Sequence, residues 1–266
     1  MKRLVTAVQM RAIEAASAEA GVPPSELMET AGRHLADAAM RLCAPTGQII
    51  VICGPGNNGG DGLVAARFLA NARRTVHVEL VGDPASVKED PARNLKALKA
   101  AGVQPRPLAD NHSVGTGDVV VDCVFGTGLT RAPEGPFADA IRRMNVWRAG
   151  GAKVIAADLP SGVHTDTGQA FSPAVRADLT ISLGHFKAGH AVEPGASLAG
   201  ELELVDIGIP ASCAQAAPGG SAWLLEEEDV RARIPERKRD THKGTYGHVL
   251  VIAGSWGKTG AAALTS

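Results

Sequence analysis

Six apolar runs of strand length, separated by helical spacing or polar turns, leave this chain few ways to fold. They are QIIVIC (48–53), TVHVELV (75–81), DVVVDCVF (118–125), KVIAAD (153–158), DLTISL (178–183) and ELELVDI (201–207). A strand covered on one face alternates apolar and polar residues, whereas one covered on both reads as a continuous apolar run. Helical patterns fill 62–72, 86–101 and 135–147, and two earlier helices are expected around 7–20 and 25–43. Pro24 and Ser25 supply a start signal for the second of these, and APTG (44–47) breaks the chain after it. The expected product is an α/β domain with a mainly parallel sheet between helical layers.

The rest of the composition narrows the function classes. Of 266 residues, 45% are hydrophobic and 21% charged, which suits a globular core. A net charge of −1 gives no general pull toward nucleic acid or an anionic membrane. One Tyr and five Phe are few for a base-stacking surface. No apolar run approaches the roughly 20 residues of a membrane span. The opening MKRLVTAVQMRAIEAASAEAG has helical spacing interrupted by Glu14 and Glu19, unlike the unbroken core of a signal peptide. The four cysteines, Cys43, Cys53, Cys123 and Cys213, form no C-x-x-C pair. No disulfide framework is expected, and a cytoplasmic location is.

In an open parallel sheet, ligands bind beyond the carboxyl ends of the strands. Four polar segments fall there: GPGNNGGDG (54–62), Asp122 with FGTGLTRAPEG (125–135), Asp158 with LPSG (159–162), and GHFKAGH (184–190). The first contains Gly54-x-Gly56-x-x-Gly59, the spacing of a dinucleotide-binding turn, and Glu79 follows about 20 residues on, as in an NAD fingerprint. Asp61 opposes the simple reading, because at the start of a helix its carboxylate competes with a phosphate for the same amides. Either Asp61 caps its helix and the asparagines adopt a left-handed turn, or the loop offers oxygen donors to a cation or a sugar hydroxyl. Asp122 and Asp158 can each be turn caps. GTGL beside Asp122 lets a ligand approach the backbone, and Arg131 can meet a phosphate. Pro160 stiffens the turn after Asp158, which suits a carboxylate in acid–base work. Lys187 reads equally as a surface lysine or a site residue, and His185 and His190 have no evident partner.

After DIGIP (206–210) the run ASCAQAAPGGSA (211–222) reads as a linker or boundary. A charged segment (226–243) then leads to GHVLVIAGSWGKTGAAALTS (247–266), expected to form a strand, a Gly turn and the first turns of a helix. Gly257-Lys258-Thr259 imitates a P-loop, but Ile252 stands where that motif needs its first glycine.

Taken together, LMETAG (27–32), CGPGNNGGDGLVAARFL (53–69), VDCVFGTGLTR (121–131), ADLPSGVHTDTG (157–168), FKAG (186–189) and DIGIP (206–210) resemble the NAD(P)H-hydrate epimerase family over nearly all of residues 1–210. The tail resembles the opening of the ribokinase-like, ADP- or ATP-dependent dehydratase domain often fused behind it. The resemblance implies a three-layer αβα Rossmann-like sandwich over 1–212, with a linker and an incomplete second domain over 213–266. It implies an isomerase that interconverts the R and S forms of hydrated NADH and NADPH, with dehydratase activity not expected from this chain alone. Substrate contacts would fall on Asn57, Asn58, Gly59, Gly60 and Asp61. Further contacts would come from Gly126, Thr127, Gly128, Leu129, Thr130, Arg131, Ala132 and Asp158. Asn58, Asp122 and Ser161 would hold a potassium ion; the placing of Asp158 on its rigid turn, rather than the resemblance, makes it the expected catalytic acid–base. A homodimer and a functional link to a dehydratase domain are implied as well. Two rivals stand beside this reading. An NAD(P)-dependent oxidoreductase is weakened because the only tyrosine, Tyr246, lies beyond the linker. The other is a non-catalytic dinucleotide- or partner-binding module.

Overall fold

All six apolar runs form strands of one sheet. In chain order the strands are β1 (Lys2–Val5), β2 (Gln48–Cys53), β3 (Thr75–Leu80), β4 (Arg106–Pro107), β5 (Val119–Cys123), β6 (Lys153–Ala157), β7 (Leu179–Leu183), β8 (Phe186–Lys187), β9 (Glu201–Val205) and β10 (Ala222–Leu224). The helices are α1 (Ala7–Glu19), α2 (Pro24–Leu42), α3 (Asn57–Asn71), α4 (Glu89–Ala100), α5 (Gly135–Ala149), α6 (Gly195–Ala199), α7 (Glu227–Arg231) and α8 (Gly260–Thr265). This computed structural model describes residues 1–108, 112–220, 222–234, 239–242 and 244–265. It divides into two units, Met1–Leu224 and Leu225–Ser266.

In the first unit a seven-stranded sheet runs β4-β3-β2-β5-β6-β7-β9, and every neighbouring pair is parallel. The chain leaves β2 toward β3 and β4 on one side, then returns to place β5 on the other. The carboxyl ends of β2 and β5 therefore flank a topological switch point, where open sheets of this type bind ligands. Side chains alternate across the sheet. Ile49, Val51 and Cys53 join the core under α2 and α3, while Ile50 and Ile52 join that of Ala140, Ile141, Met144 and Trp147 of α5. This double coverage is what the unbroken apolar runs encode.

A second sheet, β10-β1-β8, could not be read from periodicity because each strand is very short. β1 pairs in parallel with β8, Val5 opposite Lys187, and antiparallel with β10, Leu4 opposite Ala222. Described residues after 212 belong to this unit as well: Cys213 is buried with Val5, Met10 and Ile13, and the Gln9 side-chain amide donates to the carbonyls of Pro218 and Gly220 at 2.8 and 3.0 Å. Thr6 and Gln9 form the capping box that starts α1.

In the second unit, α7 and α8 are short. The strand expected from HVLVIA does not form among the described residues. Val249, Leu250 and Ile252 are 90%, 83% and 89% exposed, with no neighbouring strand to take their backbone hydrogen bonds. No helix among the described residues is long and apolar enough to cross a membrane.

Candidate active site

The turn from β2 into α3 is set by its glycines. A Cβ on Gly54 would strike the Val124 carbonyl oxygen, and one on Gly59 would strike the Gly54 carbonyl oxygen. Gly62 lies against Cys53 and Cys123, where a Cβ would sit 2.7 Å from Cys123 Cβ. Gly56, by contrast, has nothing within 4 Å and faces open space. Two glycines of the Gly-x-Gly-x-x-Gly spacing thus serve the packing of the protein itself, while Gly56 leaves room above the turn.

α3 begins at Asn57 after the cap residue Gly56, earlier than the helical pattern from residue 62 suggested. Asn57, Asn58, Gly59 and Gly60 are poor helix formers, but close packing on β2 and β5 overrides propensity. Asp61 therefore lies inside the helix rather than at its cap. It is buried, and its carboxyl is pushed well above the usual range by burial, with the charges of Asp158 and Glu14 adding to the effect.

At the end of β5, Asp122 is fully buried. Its Oδ1 accepts from the Ser161 hydroxyl at 2.6 Å and the Val124 amide at 3.2 Å, and its Oδ2 accepts from the Ser161 amide at 2.8 Å. The Ser161 oxygen in turn accepts from the Phe125 amide at 2.9 Å. The two residues thus tie the loop after β5 to the loop after β6. Burial raises the Asp122 carboxyl to about 6, against the downward pull of the hydrogen bonds from Ser161 and Val124. Asn58 packs on Gly126 at the next position along, and its Nδ2 is buried without a partner among the described residues.

Just beyond β6, Asp158 adopts φ +68°, in the left-handed region, a conformation that costs about 1–3 kcal/mol for a residue other than glycine. Its amide donates to Ile181 O at 2.8 Å. Its Oδ1 accepts from the Leu183 amide at 3.0 Å and from the Lys187 ammonium. Lys187 is 0% exposed and also donates to Leu183 O at 2.8 Å, so its surface reading is overturned. His190, also buried, accepts the Lys187 amide proton at Nδ1 (3.1 Å). The other nitrogen, Nε2, then carries the proton and donates to Asp158 O at 2.8 Å. Burial, with the Lys187 charge beside it, holds this imidazole down to about 4, so it is neutral near pH 7.

These loops enclose a cavity of about 180 Å³ beside α1 and α2, lined among others by Asn57, Asn58, Asp61, Gly126, Thr127 and Asp158. An adjoining space of about 400 Å³ is walled by Gly56, Asn57, Asn58 and Gly126–Leu129. Arg131 and Ala132 line a separate hollow of about 450 Å³ with Phe125 and Phe137. Thr130 is exposed, Gly60 packs on Met28 and Gly59 on Gly54, and Asp122 and Ser161 lie outside the residues lining these spaces. Glu79, the residue that completed an NAD fingerprint, instead faces His112 Nε2 at 3.2 Å. Glu14 of α1 lines both central spaces and went unremarked as a site residue. Its signal was present: Met10, Ile13 and Ser17 are the buried stripe of α1, and Glu14 falls at the helical spacing that continues it.

The family model described as YjeF-related protein N-terminus matches residues 24–189. A bifunctional NAD(P)H-hydrate repair enzyme Nnr of Thermofilum pendens is 42% identical over 252 residues, covering 92% of this chain and 47% of the relative. An NAD(P)H-hydrate epimerase of Limosilactobacillus fermentum is 34% identical over 206 residues, covering 77% of this chain and 97% of the relative. The chain spans about half the length of the bifunctional relatives it matches. A crystal structure of the yeast protein ynu0 shares the fold, with a TM-score of 0.66 at 21% identity, covering 85% of this chain and 97% of that one.

Proposed function

The chain belongs to the NAD(P)H-hydrate epimerase family, and from that premise we propose that it interconverts the R and S epimers of hydrated NADH and NADPH. The observation that carries the reading is one cavity at the switch point of the sheet, bordered by the turns after β2, β5 and β6, with the Asp158 carboxylate held at its edge by a buried ammonium. The ring nitrogen of the hydrate can expel the hydroxyl as water, leaving a cationic ring to which water returns on either face. Asp158 stabilises that cation and takes or gives the proton of the water. The fixed dipoles of the α3 start and the second loop orient the dinucleotide, a preorganised electrostatic role.

The proposal extends to a potassium ion held by Asn58, Asp122 and Ser161. Support comes from the donor chemistry. Asp122 carries a carboxylate whose charge burial disfavours. Asn58 has a buried amide nitrogen without a partner among the described residues, and rotating that amide would present its oxygen there instead. A bound ion would supply positive charge between the two loops. Dehydration of the repaired epimer is assigned to a separate domain or protein, and the buried free thiols suit a reducing, cytoplasmic setting.

The test follows one purified epimer of hydrated NADPH by proton NMR, in potassium and in a non-coordinating cation. Catalysed appearance of the other epimer, faster in potassium and lowered about 10²–10⁴-fold in Asp158→Asn, is the expected result. No acceleration by folded protein would favour a dinucleotide-binding module instead.

A further inference from the structure

We propose that Glu14 is a second catalytic carboxyl group of this site, serving the face of the nicotinamide ring that Asp158 does not. The inference rests on the epimerase reading. Inverting one carbon by loss and return of water requires a proton to be handled on each side of the ring. Asp158 cannot swing between them. Its amide, its carbonyl and Oδ1 are all engaged, by Ile181, His190, Leu183 and Lys187.

Glu14 is placed differently. It projects from α1 rather than from a strand end, and it lines both the inner cavity and the adjoining space. Its carboxyl makes no hydrogen bond to any described residue. The charged groups around it are Asp158, Lys187 and Arg11, with Asp61 on the facing helix. Burial first, and the Asp158 charge second, favour a proton on Glu14, while Asp158 is in contact with the buried Lys187 ammonium. A carboxyl group free of hydrogen bonds and disposed to carry a proton, facing the same cavity as one paired with an ammonium, suits the acid role beside a base.

The step balances without an outside reactant. The Glu14 proton passes to the hydroxyl oxygen, the carbon–oxygen bond breaks, water leaves, and the ring-nitrogen lone pair forms the iminium bond. A water on the other face then adds to the same carbon and gives its proton to the Asp158 carboxylate. Reversal begins from protonated Asp158 and carboxylate Glu14, and exchange with solvent resets the pair.

Oxygen exchange separates the two faces. Each purified epimer of hydrated NADPH is incubated in H₂¹⁸O with the wild-type chain, Glu14→Gln, Glu14→Asp and Asp158→Asn, and label and configuration are both followed. In Glu14→Gln, catalysed exchange is expected to fall at least about 100-fold for one epimer and persist for the other. Asp158→Asn should show the opposite selectivity, both variants should lose inversion, and Glu14→Asp should partly restore exchange for the affected epimer only. Persisting exchange in the second epimer also shows that the variant is folded. Glu14→Gln that exchanges both epimers, or loses both without selective recovery in Glu14→Asp, overturns the role of Glu14 alone. An inactive wild-type chain overturns the epimerase reading, and this inference with it.

Discussion

Asp122 and Asp158 stand at the ends of neighbouring parallel strands, and both are buried, yet they are held in opposite ways. Both oxygens of Asp122 are occupied by neutral donors, two amides and a hydroxyl. Only Oδ1 of Asp158 is occupied, by an ammonium and an amide, while Oδ2 accepts nothing from the described residues. The first carboxylate closes a joint between two loops. The second keeps an oxygen available beside a cavity. The residue type is the same in both cases, but Asp122 lies within β5, opposite Ala156, while Asp158 follows the end of β6, so position and partners together decide the task.

The largest break in this comparison comes from Lys187→Met. Removing one partner of a buried ion pair leaves the other charge uncompensated, and such changes cost about 3–5 kcal/mol. Urea unfolding should show that loss, with turnover falling further than the folded fraction accounts for. Asp122→Ala is expected to be milder. It strands the Ser161 hydroxyl and two amides, at about 1–3 kcal/mol for each group left unsatisfied and less than additively. The folded fraction should turn over at the wild-type potassium-free rate and gain nothing from potassium, seen by assaying at matched folded concentration with and without the ion. Full turnover with the potassium response intact would remove Asp122 from the ion site.

The smallest effect sharpens the environment of Asp158 through His190. Its imidazole is held at about 4, against 6.5 ordinarily. Between those values the unfolded chain binds a proton that the folded chain refuses. Stability therefore rises with pH across that window and is lost as pH falls through it. His190→Gln, which can still donate to the Asp158 carbonyl, should flatten this part of the curve. Thermal midpoints at about pH 4.5 and pH 7 check it, with an expected difference of a few degrees.

The large sheet was legible because strands buried on both faces announce themselves as continuous apolar runs, as in Ile49–Cys53 and Val119–Cys123. What escaped was whatever depends on distant partners. The start of α3 at Asn57 rests on glycines packed against β2 and β5, against the propensity of NNGG. β1, β8 and β10 exist only because residues some 180–220 positions apart pair. Lys187 read evenly as surface or site because its carboxylate partner lies far off in sequence. HVLVIA erred the other way: its apolar pattern suits a strand, but a strand needs a neighbour.

The three-stranded sheet also bears on how this chain can be divided. Residues 222–224 sit one strand away from β1, and β1 sits one strand away from the backbone that carries Lys187. The Ala- and Gly-rich stretch before them looks like a spacer, yet it leads into the outer strand of a ladder that reaches the buried ammonium. Nature or an engineer recombining the first unit with a different neighbour would have to place the seam after Leu224, because a cut at residue 212 would take part of the site's scaffold with it.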